Sequence, residues 1–220
     1  MKSHTSIFIK EIQDMEKGKK RIVFETGVSC VLYHSEIKSF DFSEQILSPW
    51  QDDFAISQEV YEHILEIVAK RAKKRVLYLL EKMDRTEYQI REKLKRNEYP
   101  ECCIDSAIEY AKSFHYIDDY RYACNFIRYH REKYSRIQLK QKLLTKGVAN
   151  DIIMQAMEIE YTSEETKQIQ ALLQKKNFQS KSSNTPEFRR MYQFLLRRGF
   201  HSSDILRELK RFCNAESDIF

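Results

Sequence analysis

Part of this chain is written twice, and a third time more loosely. Residues 85–94, continuing through Tyr99-Pro100 to Ile104 and Ile108, return 49 residues later as residues 134–143, through Gly147-Val148 to Ile153 and Met157. Tyr88, Ile90, Leu94, Tyr99, Ile104 and Ile108 fall on Ile137, Leu139, Leu143, Val148, Ile153 and Met157. A further 52 residues on, Met191, Leu195, Gly199-Phe200, Ile205 and Leu209 occupy the same places. A period of this length marks tandem supersecondary units, each too small to bury its apolar stripe alone, so that neighbours must stack. Thr86 and Ser135 are placed to cap a helix of about three turns. Gly147 and Gly199 suit the left-handed residue that ends it, and a second short helix follows. A third helix links each unit to the next, over residues 119–132 and 163–176, and the polar, Ser-rich residues 177–184 read as a loop. The expected fold is mainly all-α: three tandem three-helix repeats forming an elongated curved solenoid.

The chain before the repeats has a different period. Ser6-Ile7-Phe8-Ile9, Arg21-Ile22-Val23-Phe24 and Ser29-Cys30-Val31-Leu32-Tyr33 are β-prone runs, with Gly18 and Gly27 where hairpin turns would fall. Residues 6–34 therefore read as a small N-terminal antiparallel β unit. Residues 35–56 read as a connector broken at Pro49-Trp50. Ser57 suits an N-cap, and Val60, Ile64, Ile67, Val68, Val76 and Leu79 then recur at helical spacing. The expected divisions are 1–56 for the β unit and connector, then repeats over 57–118, 119–162 and 163–220. Only 4 Gly and 3 Pro interrupt the 220 residues, which agrees with a helical rather than loop-rich chain.

Chemistry is sparse. The five cysteines, Cys30, Cys102, Cys103, Cys124 and Cys213, form no CxxC pair and read as reduced, mostly packed thiols. The six histidines are scattered and match no ligand pattern, and no phosphate-binding loop occurs. Asp118-Asp119 is the one notable pair of adjacent carboxylates. Metal or acid–base work is one reading of it, but Asp just before a helix caps exposed N–H groups and favours the dipole, and that is the reading adopted. The expectation is a protein without catalytic residues, metal or cofactor. No apolar run reaches the length of a membrane span and the first residues do not resemble a secretory signal, so a cytoplasmic protein is expected.

The run Ser113-Phe114-His115-Tyr116-Ile117-Asp118-Asp119-Tyr120-Arg121-Tyr122-Ala123 is more specific. It resembles the signature of the RecX family, small bacterial regulators of the RecA recombinase. The signature residues matched are Tyr116, Ile117, Asp118, Asp119, Arg121, Tyr122, Ala123 and Phe126. The likeness continues through Ile127-Arg128 and Arg131 into Leu139, Lys142-Leu143 and Lys146-Gly147-Val148. It covers about residues 57–212, and the added N-terminal segment is similar to that of longer family members from Gram-positive bacteria. The chain departs from the pattern at His115, where the family usually has Gly in a tight turn. Histidine can enter the left-handed region at some cost. The resemblance implies a regulator that binds the RecA–single-stranded-DNA filament and modulates its recombinase, ATPase and SOS coprotease activities.

Charge suggests where such a partner would sit. The net charge is +5, which permits an anionic partner without requiring one. Within the repeats, the second helices carry Glu101, Asp105 and Glu109, then Asp151, Glu158 and Glu160, the wrong sign for phosphates. The first helices carry Arg91, Lys93, Lys95 and Arg96, then Arg136, Lys140, Lys142 and Lys146, then Arg189, Arg190, Arg197 and Arg198. Together with Arg121, Arg128 and Arg131 these are the candidate filament contacts, and ordinary internal salt bridges are the alternative. Lys70-Arg71 and Lys73-Lys74-Arg75 read as a solvated face on a long first helix. The aromatic spacing Tyr122–Phe126–Tyr129 reads as packing, with base stacking as the functional alternative. The expected partners are a RecA filament and, weakly and salt-sensitively, single-stranded DNA, with the chain a monomer. A stand-alone nucleic-acid-binding module and a protein-interaction scaffold are the rival readings.

Overall fold

The computed structural model describes residues 6–40, 54–161, 165–179 and 185–215. Pro49-Trp50 lies outside them. The chain forms two compact units, Met1–Asp118 and Asp119–Phe220.

The first unit opens on a four-stranded antiparallel sheet of β1 (Ser6–Met15), β2 (Lys19–Phe24), β3 (Ser29–Tyr33) and β4 (Phe54–Ser57), in the order β3-β2-β1-β4. Two features differ from expectation. The polar stretch around Met15 is strand, with Met15 opposite Lys19 and the reversal confined to Glu16–Gly18. The supposed connector also supplies β4, which pairs with the start of β1. Ile7, Ile9, Ile22, Phe24, Cys30 and Leu32 face inward by the period-two rule. They meet Tyr61, Ile64, Val68, Ala72 and Val76 of α2 (Gln58–Lys82), a 25-residue helix that follows the short α1 (His34–Ile37) and whose first turn is capped by Ser57 Oγ accepting from Val60 N–H at 3.3 Å. The same core takes in α3 (Glu87–Arg96) and α4 (Glu101–Ser113). The β unit is thus one half of a shared core.

Arg71 binds the two halves together. Its Nη1 donates to Glu36 Oε2 at 2.6 Å and its Nη2 to the Val31 carbonyl at 2.5 Å. Its guanidinium lies 4.5 Å from the Tyr33 ring. This part of the basic run on α2 is structural rather than a solvated face.

The second unit contains α5 (Asp119–His130), α6 (Arg136–Thr145), α7 (Asn150–Glu160), α8 (Glu165–Lys175), α9 (Pro186–Arg197) and α10 (Ser202–Ala215). It has two cores, one around Leu139, Leu143, Ile153 and Met157, the other around Leu195, Phe200, Ile205 and Leu209.

The repeat is visible atom by atom. Thr86, Ser135 and Thr185 accept from the N–H three residues on, in α3, α6 and α9 respectively. In the first two, Gln89 and Gln138 return the bond to the cap's own N–H at 3.3 Å, completing a capping box. Each of these helices stops at a left-handed residue, Glu98 (φ 60°), Gly147 (φ 81°) or Gly199 (φ 83°). The next N–H then bonds back to the carbonyl of Leu94, Leu143 or Leu195. Not every repeat position is buried: Tyr88 and Ile137, which share the first apolar place, are both about half exposed.

Within the second unit the successive first helices touch. Ser135 Oγ, while capping α6, donates to the Arg198 carbonyl at the end of α9 at 2.6 Å. A Cβ on Gly199 would stand 2.9 Å from Ile137 Cβ and 3.2 Å from Ser135 Oγ. Gly27 also has a positive φ, yet a Cβ there would meet nothing within 4 Å. Both Gly→Ala changes carry left-handed strain of about 1–2 kcal/mol; only Gly199→Ala adds the clash. In urea denaturation Gly199→Ala is therefore the more destabilising. Equal losses would mean that the α6–α9 junction is not tightly packed.

Candidate interface on the basic helices

The three basic helices are not in equivalent surroundings. In the first repeat Arg91 is ringed by carboxylates: Glu87 at 3.4 Å, Glu101 at 2.5 Å and Asp105 at 2.7 Å. Lys95 lies 3.2 Å from Glu101, and Lys112 pairs with Glu87. The acidic α4 thus neutralises much of the basic α3. Arg91 and Lys95 serve as internal cross-braces, leaving Lys93 and Arg96 as the exposed, unpaired cations of that helix among the described residues. Burial acts to raise the Glu87 pKa, but the bonds from Lys112 and Arg91 outweigh it and hold the carboxyl below the usual range.

The second repeat is arranged otherwise. Arg136, Lys140 and Lys142 on α6 make no ion pair among the described residues, and Asp151 and Glu158 of α7 stay exposed rather than reaching them. The acid that is used, Glu160, lies on the other side: Arg128 Nε donates to it at 3.0 Å and Arg131 Nη1 to its carbonyl at 3.1 Å. The bond from Arg128 holds the Glu160 carboxyl low and raises the arginine.

Beside α6 runs an aromatic ladder. Tyr122 stacks on Phe126 with centroids 6.4 Å apart, Phe126 meets His130 at 4.5 Å, and His130 meets Tyr134 at 5.7 Å. Lys142 sits 4.4 Å over the Tyr134 ring and Lys146 5.4 Å over Phe126. Phe126, His130, Tyr134, Lys142, Lys146 and Thr145 line a groove of about 410 Å³. Tyr129, expected in the stripe, is 81% exposed and points away. The four-residue spacing of Tyr122, Phe126, His130 and Tyr134 is in the sequence, but the histidine hides it from a search for aromatic residues. The ladder packs on the core by one side and contributes to the groove by the other.

The third repeat has a related groove of about 490 Å³, lined by Lys176, Phe178, Arg190, Met191 and Phe194 among others. Lys176 and Arg198 lie 5.5 and 4.7 Å from the Phe194 ring. Arg189, Arg190 and Arg197 are exposed and unpaired among the described residues. Cations held against ring faces beside an open groove suit a ligand that offers both phosphates and flat bases.

Two of the signature residues, Tyr122 and Phe126, stand in the aromatic ladder. Ile117 and Ala123 are buried, Tyr116 is half exposed, and Asp118 immediately precedes α5, whose first turn begins with Asp119. Arg121 is exposed on the same turn. His115 adopts φ 55°, with its N–H bonded to the Lys112 carbonyl at 2.8 Å, so the turn survives without glycine.

These surroundings separate two kinds of cation by stability. Arg91→Ala removes a charged donor from three acceptors and is expected to cost about 1–3 kcal/mol, whereas Lys140→Ala stays within about 0.5 kcal/mol, both read by urea denaturation. Glu87 has a depressed folded pKa, so its contribution is present above its unfolded value near roughly 4.3 and is lost as pH falls through the lower folded value. The stability gap between the wild type and Glu87→Gln should therefore narrow as the pH falls below the usual glutamate range.

Comparison with known proteins agrees with this architecture. Residues 72–110, 118–157 and 163–209 match, in turn, the first, second and third three-helix domains of RecX. Relatives named regulatory protein RecX include those of Clostridium beijerinckii, 26% identical over 83% of this chain and 88% of its own length, and Caldanaerobacter subterraneus subsp. tengcongensis, 31% identical over 70% and 77%. A crystal structure of regulatory protein RecX superposes with a TM-score of 0.60 at 20% identity, covering 93% of this chain and 99% of that one. The RecX of Lactobacillus salivarius superposes at 0.58 and 19%, over 67% and 97%. With three consecutive domains matched and the repeat, caps and stops in place, the chain belongs to the RecX family of regulatory proteins.

Proposed function

We propose that this chain regulates RecA by binding the RecA–single-stranded-DNA filament through the basic first helices of its second and third repeats, and so restrains recombinase, ATPase and SOS coprotease activity. The observation that carries this reading is the contrast among repeats. Arg91 and Lys95 are spent on internal carboxylates, while Arg136, Lys140 and Lys142 stand unpaired beside the Tyr122–Tyr134 ladder among the described residues. The open cations would engage the filament's phosphates and acidic protein surface, and the ring faces exposed bases. The chain carries these contacts on successive repeats, 57–118, 119–162 and 163–220, in a cytoplasmic monomer that performs no chemistry and uses no cofactor. No helix among the described residues is long and apolar enough to cross a membrane.

The test is the single-stranded-DNA-dependent ATPase of the cognate RecA with this protein titrated in. ATPase and filament length should both fall. Lys140→Glu/Lys142→Glu should need about tenfold more protein for the same effect, with an unchanged denaturation midpoint. No effect of the wild type at saturation would refute the reading. Tight duplex binding with no effect on RecA would favour a stand-alone nucleic-acid module.

A further inference from the structure

The N-terminal sheet does more than complete a core. Where it meets the first repeat it leaves a cleft of about 430 Å³, a volume within the range of ligand pockets. Its walls carry four cations, Lys19 from β2, Arg71 and Arg75 from α2 and Arg96 from the end of α3, together with Tyr33 and Tyr99. Glu98 is the one acid on the wall among the described residues, and it is already taken: Arg21 Nε donates to it at 3.0 Å and a second guanidinium nitrogen bonds its other oxygen.

Several cations of this unit are paired with carboxylates: Lys20 with Asp14 at 2.8 Å, Arg21 with Glu98, Arg91 with three, and, on the cleft wall itself, Arg71 with Glu36. The other three cations of the wall are not: Lys19, Arg75 and Arg96 have no ion pair among the described residues. Arg71 Nε is buried without a hydrogen-bond partner there. Like charges drawn together in this way raise the local potential and favour an anion in the space between them. Tyr33, 38% exposed, adds a ring that already carries Lys19 at 5.0 Å and Arg71 at 4.5 Å.

We propose that this cleft, built jointly by the sheet and the first repeat, binds a segment of single-stranded nucleic acid, its phosphodiester on Arg75, Arg96 and Lys19 and a base against Tyr33. The ring decides between the two anionic polymers that fit the charge. An acidic peptide is served by cations alone, whereas a strand uses the cation and the aromatic face together. The choice of a strand is in keeping with the filament-binding role proposed above, yet the site requires no RecA.

The experiment uses the full chain and no RecA. Anisotropy of a labelled 15-residue oligothymidylate is followed across a salt series for the wild type, Arg75→Glu/Arg96→Glu, Arg75→Lys/Arg96→Lys and the α6 variant Lys140→Glu/Lys142→Glu. Losing two phosphate contacts should lower the slope of log affinity against log salt by about 1.4, and the charge reversal should weaken binding at least about tenfold. The lysine pair should retain most of the affinity. The cleft variant's loss should persist when combined with the α6 variant. Independently of any variant's folding, an oligonucleotide carrying 5-iodouracil should photocross-link to the wild type at Tyr33. An unchanged slope in a folded Arg75→Glu/Arg96→Glu protein, or cross-links that avoid Tyr33, would overturn the proposal. So would displacement of the strand by oligoglutamate at equal charge concentration. Because RecA is absent, these outcomes leave the filament reading to its own ATPase test.

Discussion

A helix of ten residues does not hold itself together in water: its nucleation cost is not recovered over so few turns, and four N–H and four carbonyl groups at its ends lack intrahelical partners. Helices α3 and α6 are both of this length, and the design of the repeat answers that constraint. A capping box closes each at the start, a left-handed residue with a backward hydrogen bond closes it at the end, and burial of Ile90 and Leu94, or Leu139 and Leu143, against a neighbouring helix supplies the rest. At Ser135 the constraint couples repeats, since one hydroxyl accepts from its own helix and donates to the last turn of the next repeat's first helix.

The same economy sorts the charges. A cation next to an acid-bearing helix becomes a brace, as Arg91 does, and is then poorly available to an outside partner. A cation whose neighbouring acids face elsewhere remains open, as on α6. In this chain, which pairs close therefore decides which cations stay open. That is why the proposed contact surface is concentrated on the second and third repeats and why the first repeat, joined to the sheet, offers a separate cleft.

The repeat was legible because its period is written in apolar residues and turn-forming glycines. Where a different residue performs the same backbone task, the sequence is silent. Glu98 takes the left-handed place that Gly147 and Gly199 fill, at a strain of about 1–2 kcal/mol, and its side chain binds Arg21 of the sheet. That double use, backbone stop and bridge, explains a glutamate where the other repeats have glycine, and no local pattern announces it. The fourth strand was hidden for a related reason: Phe54–Ser57 is too short to show alternation and is defined only by pairing with β1. The candidate basic residues were all visible as residue types. Their availability was not, because it depends on contacts such as Arg91–Asp105 and Arg128–Glu160 between residues 14 and 32 positions apart.

The central claim is that the filament meets the open basic helices of the second unit. Hydrogen–deuterium exchange of the full chain, with and without RecA assembled on single-stranded DNA, tests it most directly. The account predicts added protection in 119–146 and 186–198, with the α4 and α7 backbones unchanged. Protection confined to α4 or α7, or none at saturating filament, would contradict it.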